Sequence, residues 1–227
     1  TLSDSTLAVS VLNTLDGNTS GTINASSINT LTGSAADLNT AYTASGNGSI
    51  LGLGNEAVTL SDTTLAASVL NTLDGNTSGA INASNITTLS GSAADLITAY
   101  DSGGITGLGN EAVNVNSGAA STSQANALAD ATSAVVTATL SDGDMATLAG
   151  LTETGNAYTI TITDTSVAAA ALNALDGKTT VAINASNIIT LTGSAADLIT
   201  AHDSGGITGL GNESVTLSDT TLAASVL

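Results

Sequence analysis

Hydrophobic and polar positions along this chain follow two rhythms that take turns. In Ala57-Val58-Thr59-Leu60, Val58 and Leu60 share one face and Thr59 the other, the period-two alternation of a half-buried strand. Directly after it, Leu65, Ala66, Val69, Leu70 and Leu73 fall at helical spacing and form one apolar stripe. Ser61-Asp62 reads as the start of that helix, because short oxygen-bearing side chains satisfy free N–H groups and a carboxylate suits the positive end of the dipole. Asp74-Gly75 reads as its end, with the glycine in the left-handed conformation. Ile81 then returns to the core, and Ile86-Thr87-Thr88-Leu89 gives a second strand. Ser92-Ala93-Ala94-Asp95 opens a second helix with a capping box, which recurs at Ser34 to Asp37 and at Ser194 to Asp197. That helix runs through Leu96 and Tyr100 to Gly103-Gly104, after which Ile105 to Asn110 leads into a third strand.

The whole cycle repeats. Thr-Leu-Ser, or a close relative, starts at Thr1, Thr30, Thr59, Thr88, Asn114, Thr139, Thr161, Thr190 and Thr216, in steps of 22 to 29 residues. A period of that size is the signature of a solenoid. Two strand–helix coils make a superrepeat of 55 residues, and the first copy is three residues longer, in the loop Thr43 to Ser49. Each strand-to-strand connection runs through a helix, so the strands should be parallel with right-handed crossovers. The expected fold is an α/β repeat solenoid of strand–helix coils of about 22–29 residues each, with one parallel sheet and helices along the other side. Coils of pure β-helix are the alternative, but Leu-Ala-Ala-Ser-Val-Leu is better helix than strand. One array is expected over 1–227: regular superrepeats over 1–111, divergent coils over 112–163 that keep the same rhythm, and a regular superrepeat over 164–227. Its ends are a strand and the helix-type segment finishing at Leu227, neither with a polar cap. That predicts a fragment of a longer array, continued by the same chain or associating end to end.

Composition sharpens the core and narrows the partners. Hydrophobic residues are 42% of the chain but aromatics only 1%, so the core must be Leu, Ile, Val and Ala. The net charge is −18, with Lys178 the sole basic side chain, which excludes nucleic acid and anionic membrane surfaces as partners. Divalent cations, basic proteins and neutral surfaces such as polysaccharide or ice remain. No run approaches the roughly 18 apolar residues of a span, so no membrane insertion is expected. There is no Cys, hence no disulfide or thiolate metal site. A chain with one tryptic site suits a protease-exposed setting, and an extracellular or cell-surface location is expected.

Two sets of residues are candidates for chemistry. The turns Asp16-Gly17-Asn18-Thr19-Ser20-Gly21 and Asp74-Gly75-Asn76-Thr77-Ser78-Gly79 match the opening of a calcium loop, with oxygen ligands Asp16, Asn18 and Ser20, and Asp74, Asn76 and Ser78. A cation there would also correct an Asp misplaced at a helix C-terminus. Against it, position 12 is Ser27 or Asn85 instead of Glu, and the third copy places Lys178 at a ligand position. A Gly-terminated helix with an Asx-rich turn accounts for the same residues. The second set is the outward rank Thr30, Thr59, Thr88, Thr161 and Thr190, whose regular hydroxyls could order water or dock a glycan. Threonine is also simply a good strand residue. His202 stands where Tyr42 and Tyr100 stand in earlier copies and reads as a packing residue. With no second His, no Cys and no unrepeated carboxylate cluster, no catalytic constellation is legible, and no enzymatic activity is expected.

The segments Val58-Thr59-Leu60-Ser61-Asp62-Thr63-Thr64-Leu65, Gly91-Ser92-Ala93-Ala94-Asp95-Leu96 and Gly104-Ile105-Thr106-Gly107-Leu108-Gly109-Asn110-Glu111 resemble repeats in giant repetitive surface or secreted proteins of marine cyanobacteria. The resemblance covers the first half and the last third of the chain. It implies an extracellular structural, adhesive or motility-associated role. The expected function is therefore a structural repeat region acting as filament body or spacer. The alternative is an adhesin or an ice- or glycan-binding module that uses the Thr and Ser ranks.

Overall fold

Every strand pairing given by residue register is parallel, and between successive repeats the chain passes through a helix. The computed structural model describes residues 1–221. It is an α/β fold with eight helices among those residues. The Leu-Ala-Ala-Ser-Val-Leu segment expected to form a helix at 222–227 lies outside the described residues. The chain divides into two compact parts: Thr1–Asn114 with Ala131–Ala134, and Val115–Asp130 with the residues from Val135 onward.

In the first part, Thr6–Ala8, Thr30–Gly33, Ala57–Leu60, Ile81–Asn82 and Ile105–Thr106 form one sheet in that spatial order. Leu7 pairs with Leu31, Leu31 with Val58, Val58 with Ile81 and Ile81 with Ile105, a line of aliphatic residues. Two further ladders accompany it. Ile23–Asn24 pairs with Ile50–Leu51, and Thr64–Ala66 with Thr88–Gly91. The helices Val9–Asn18, Ala35–Gly46, Ala67–Asp74 and Ala93–Asp101 pack on one another in sequence order. Leu12, Leu31, Leu38, Leu70, Ile81 and Leu89 are fully buried between these helices and strands, the narrow aliphatic core that the composition demands.

The second part has the same construction. Ser166–Ala168, Thr190–Gly193 and Ser214–Leu217 form a three-stranded sheet, and Ile183–Asn184 pairs with Ile207–Thr208. Val136–Thr139 pairs with Ala157–Thr159. The helices Thr122–Ala131, Met145–Leu148, Ala169–Asp176 and Ala195–Asp203 follow in order, and the divergent stretch thus keeps the strand–helix rhythm.

Several expectations need correction. Strands fall into several sheets instead of one, because each repeat carries two strands: a two-residue strand such as Ile81–Asn82 after one helix and a longer one such as Thr88–Gly91 before the next. These are joined by a turn without a helix. Ser61-Asp62 does not start a helix. Thr64–Ala66 is strand, with Leu65 paired to Leu89, and the helix begins at Ala67 with no side-chain cap. Gly75 is right-handed helical at φ −70°, so it does not end the helix by left-handed geometry. The additional residues of the first superrepeat extend the helix Ala35–Gly46 and do not form a loop over Thr43 to Gly46. The capping boxes are as read: Ser34, Ser92 and Ser194 each accept from the N–H of Asp37, Asp95 and Asp197, and each hydroxyl donates back to that carboxylate.

Candidate functional site

The side chains that link one repeat to the next are the most organised chemistry in the molecule. Asp62, expected at the head of its own helix, accepts instead from the Ala35 N–H at 2.8 Å and so caps the helix of the preceding repeat. Asp142, Asp164 and Asp219 do the same for Thr122, Met145 and Ala195, each at 2.6 Å. A carboxylate at the first turn of a helix satisfies a free donor and faces the positive end of the dipole. A second set runs down the helices. The amides of Asn13, Asn71 and Asn173 donate to the carbonyls of Asp37, Asp95 and Asp197, each at 2.9 Å. The bonded pairs lie 19 to 27 residues apart in sequence.

A third constellation was not singled out from sequence. The carboxylates of Glu56 and Glu111 are buried, 1% and 0% exposed, and among the described residues neither forms an ion pair. Glu56 accepts from the Gly54 and Asn55 N–H groups at 2.9 and 3.1 Å and from the Tyr42 hydroxyl. Glu111 has the same cradle, from Gly109 at 2.9 Å, Asn110 at 3.2 Å and the Tyr100 hydroxyl. Burial, and then the bond to the neighbouring carboxylate, push both phenols far above their ordinary range. In the third copy, His202 replaces tyrosine and places Nε2 3.0 Å from Glu213 Oε1. Burial works to raise the Glu213 carboxyl. The N–H groups of Gly211, Glu213 and Asn212, with the His202 charge, outweigh it and hold the carboxyl below its usual value. The signal was present in the sequence: three of the four glutamates, Glu56, Glu111 and Glu213, close a Gly-Leu-Gly-Asn-Glu motif.

The expected calcium ligands are spread among different partners. Asp74 Oδ2 accepts from the Ser102 hydroxyl at 2.7 Å, in the following repeat. Asn76 and Ser78 turn the other way, to Asn39 Oδ1 at 2.9 Å and to the Gly54 carbonyl at 3.2 Å. In the first copy, Asp16 lines an open groove with Asn39, Thr43 and Asn47, while Asn18 and Ser20 are exposed. Among the described residues, no group of three or more His, Asp or Glu side chains is gathered as metal ligands would be.

The five threonines do not form a single rank. Thr30 pairs with Thr6 and Ala57, whereas Thr59 pairs with Thr32 and Asn82. The line that crosses the five-stranded sheet is Ala8, Thr32, Thr59, Asn82 and Thr106. Thr88 pairs with Thr64 in another ladder, Thr190 with Ser166 and Ser214, and Thr161 bridges to Asn184. Among the described residues, no helix is long and apolar enough to cross a membrane. No family model, curated protein or solved structure matches the chain.

Proposed function

We propose that this chain is a structural repeat region of an extracellular or cell-surface protein, a solenoid that serves as filament body or spacer. One observation carries the reading: the polar chemistry of each repeat is directed at its neighbours. Asp62, Asn71 and Ser102 complete hydrogen bonds of adjacent repeats, and Glu56 and Glu111 are buried on donors of their own part. Such side chains hold repeats in register. The acidity keeps the flanks mutually repulsive and hydrated, which suits a body meant to extend without bundling.

Electron microscopy with fibre diffraction tests this. Elongated particles with an axial reflection near about 4.8 Å are expected from stacked parallel repeats. Compact particles without that spacing would overturn the reading. Binding to a polysaccharide or to ice that is lost in Thr59→Lys and Thr88→Lys variants of unchanged helicity would instead favour an adhesive module.

A further inference from the structure

Within the second part, a small apolar pocket opens between Met145–Leu148 and the next helix, Ala169–Asp176. Met145–Leu148 is a single turn of four residues, against 8 to 12 in the other described helices. It is half as long as Ala169–Asp176 and leaves part of that helix uncovered. The resulting space is about 120 Å3, walled by Met145, Leu148, Leu151, Ala171, Ala174 and Leu175, with Lys178 at its side.

The chain departs from its own repeat where it faces this space. Ala171, Ala174 and Lys178 stand where Val69, Thr72 and Asn76 stand in the second superrepeat and Val11, Thr14 and Asn18 in the first. The two alanines enlarge the pocket and remove a hydroxyl from its wall. Met145, the single methionine, lines the opposite side with a flexible, polarisable thioether. Lys178 is the one lysine of a chain that has no arginine. Its Nζ donates to the Thr152 carbonyl at 2.7 Å, which holds the ammonium next to Leu151, and among the described residues it forms no ion pair. The carboxylates attached to these two helices are engaged elsewhere. Asp144 and Asp164 accept from the Thr147 and Met145 N–H groups, and Asp176 from the Ser204 hydroxyl.

We propose that this pocket binds a small aliphatic carboxylate, its tail between the two helices and its charged head on the Lys178 ammonium. An apolar cavity of about 150 Å3 accepts benzene, so 120 Å3 admits a tail of about five carbons. An ammonium carries three donors, and the Thr152 carbonyl takes one of them. The net charge of −18 repels anions from afar, but at about 0.15 M salt that field is screened beyond about 8 Å, and the local ammonium decides.

The probe is sodium hexanoate, titrated at about 0.15 M total salt into the intact 227-residue chain and followed through the amide resonances of Met145, Leu151, Ala174 and Lys178. Saturable shifts with a dissociation constant of about 1 mM are expected from burial of the tail. Acetate lacks the tail and hexanol the charge, and each should bind at least about tenfold more weakly. Ala174→Leu, at an exposed helical position, fills the pocket and should weaken hexanoate at least about tenfold with unchanged circular dichroism. Should that variant unfold, Ala171→Leu fills the same space one turn earlier and takes its place. Lys178→Gln should bring hexanoate down to the level of hexanol and leave hexanol as it was. Amides unmoved at about 50 mM hexanoate, shifts that persist in the filled variant, or hexanol that binds as tightly as hexanoate would each overturn the proposal.

Discussion

At the scale of single residues, Glu56 and Glu111 are buried carboxylates held by a few donors each. A buried carboxylate with no cation is tolerable only while donors surround it. Replacing Tyr100 by Phe removes the hydroxyl from Glu111 and keeps the ring, and should cost about 2 kcal/mol, read as a lower denaturant midpoint at unchanged slope. The phenols also set a response to base. Tyr42 and Tyr100 are held protonated well above their usual range, and burial, then the charges of Glu153 and Asp130, push Tyr158 up to about 12. A raised folded value means the stabilisation is complete below the unfolded value near pH 10 and is lost as pH rises through the folded one. Phenolate absorbance should therefore stay flat past about pH 10 and then rise together with loss of helical signal. Phenols that titrate freely near that pH while the fold persists would contradict the burial of these side chains.

Among the elements, the strand–helix segments are held less by their own ends than by the next repeat. Asp62→Ala should cost about 1 kcal/mol, and the loss should appear in a helix 27 residues upstream. Hydrogen exchange is expected to quicken at the Ala35 amide and its first turn, and to stay unchanged across Ala67–Asp74. The opposite distribution would restore the reading of Asp62 as a cap for its own helix. Ala67–Asp74, like Val9–Asn18 and Ala169–Asp176, starts without a side-chain cap. Gly107 shows the tolerance at the turns: at φ +85°, a Cβ would lie 2.9 Å from the Ser84 backbone nitrogen, so only glycine fits.

For the whole molecule, charge is the dominant lever. With a net charge of −18 and one lysine, self-repulsion opposes compactness, and added salt should screen it. Raising sodium chloride from about 0.01 to 0.15 M, which shortens the screening length from about 30 to 8 Å, should raise the thermal midpoint. A midpoint that falls would mean favourable ion pairs outweigh the repulsion. EDTA at constant ionic strength is expected to leave the midpoint unchanged, because Asp74, Asn76 and Ser78 are satisfied by separate protein groups. A marked drop would restore a calcium site in these turns.

What the sequence determined by itself is local and periodic. The alternation in Ala57–Leu60, the capping boxes at Ser34, Ser92 and Ser194, the small aliphatic core and the parallel sense of the strands all follow from residues a few positions apart, repeated. The strand–helix rhythm of the divergent stretch over 112–163 was legible too, because spacing survives where wording does not. Two-residue strands such as Ile81–Asn82 are too short to show a period, and the lines of threonine depend on register between distant segments. Only the tertiary structure decided whom Asp62 caps, that Glu111 meets Tyr100, and that Asp74 and Ser78 face opposite ways. Those side chains are polar and short, and their preferences are met equally well by a neighbour in sequence or by one a repeat away. Stacking alone chooses between them.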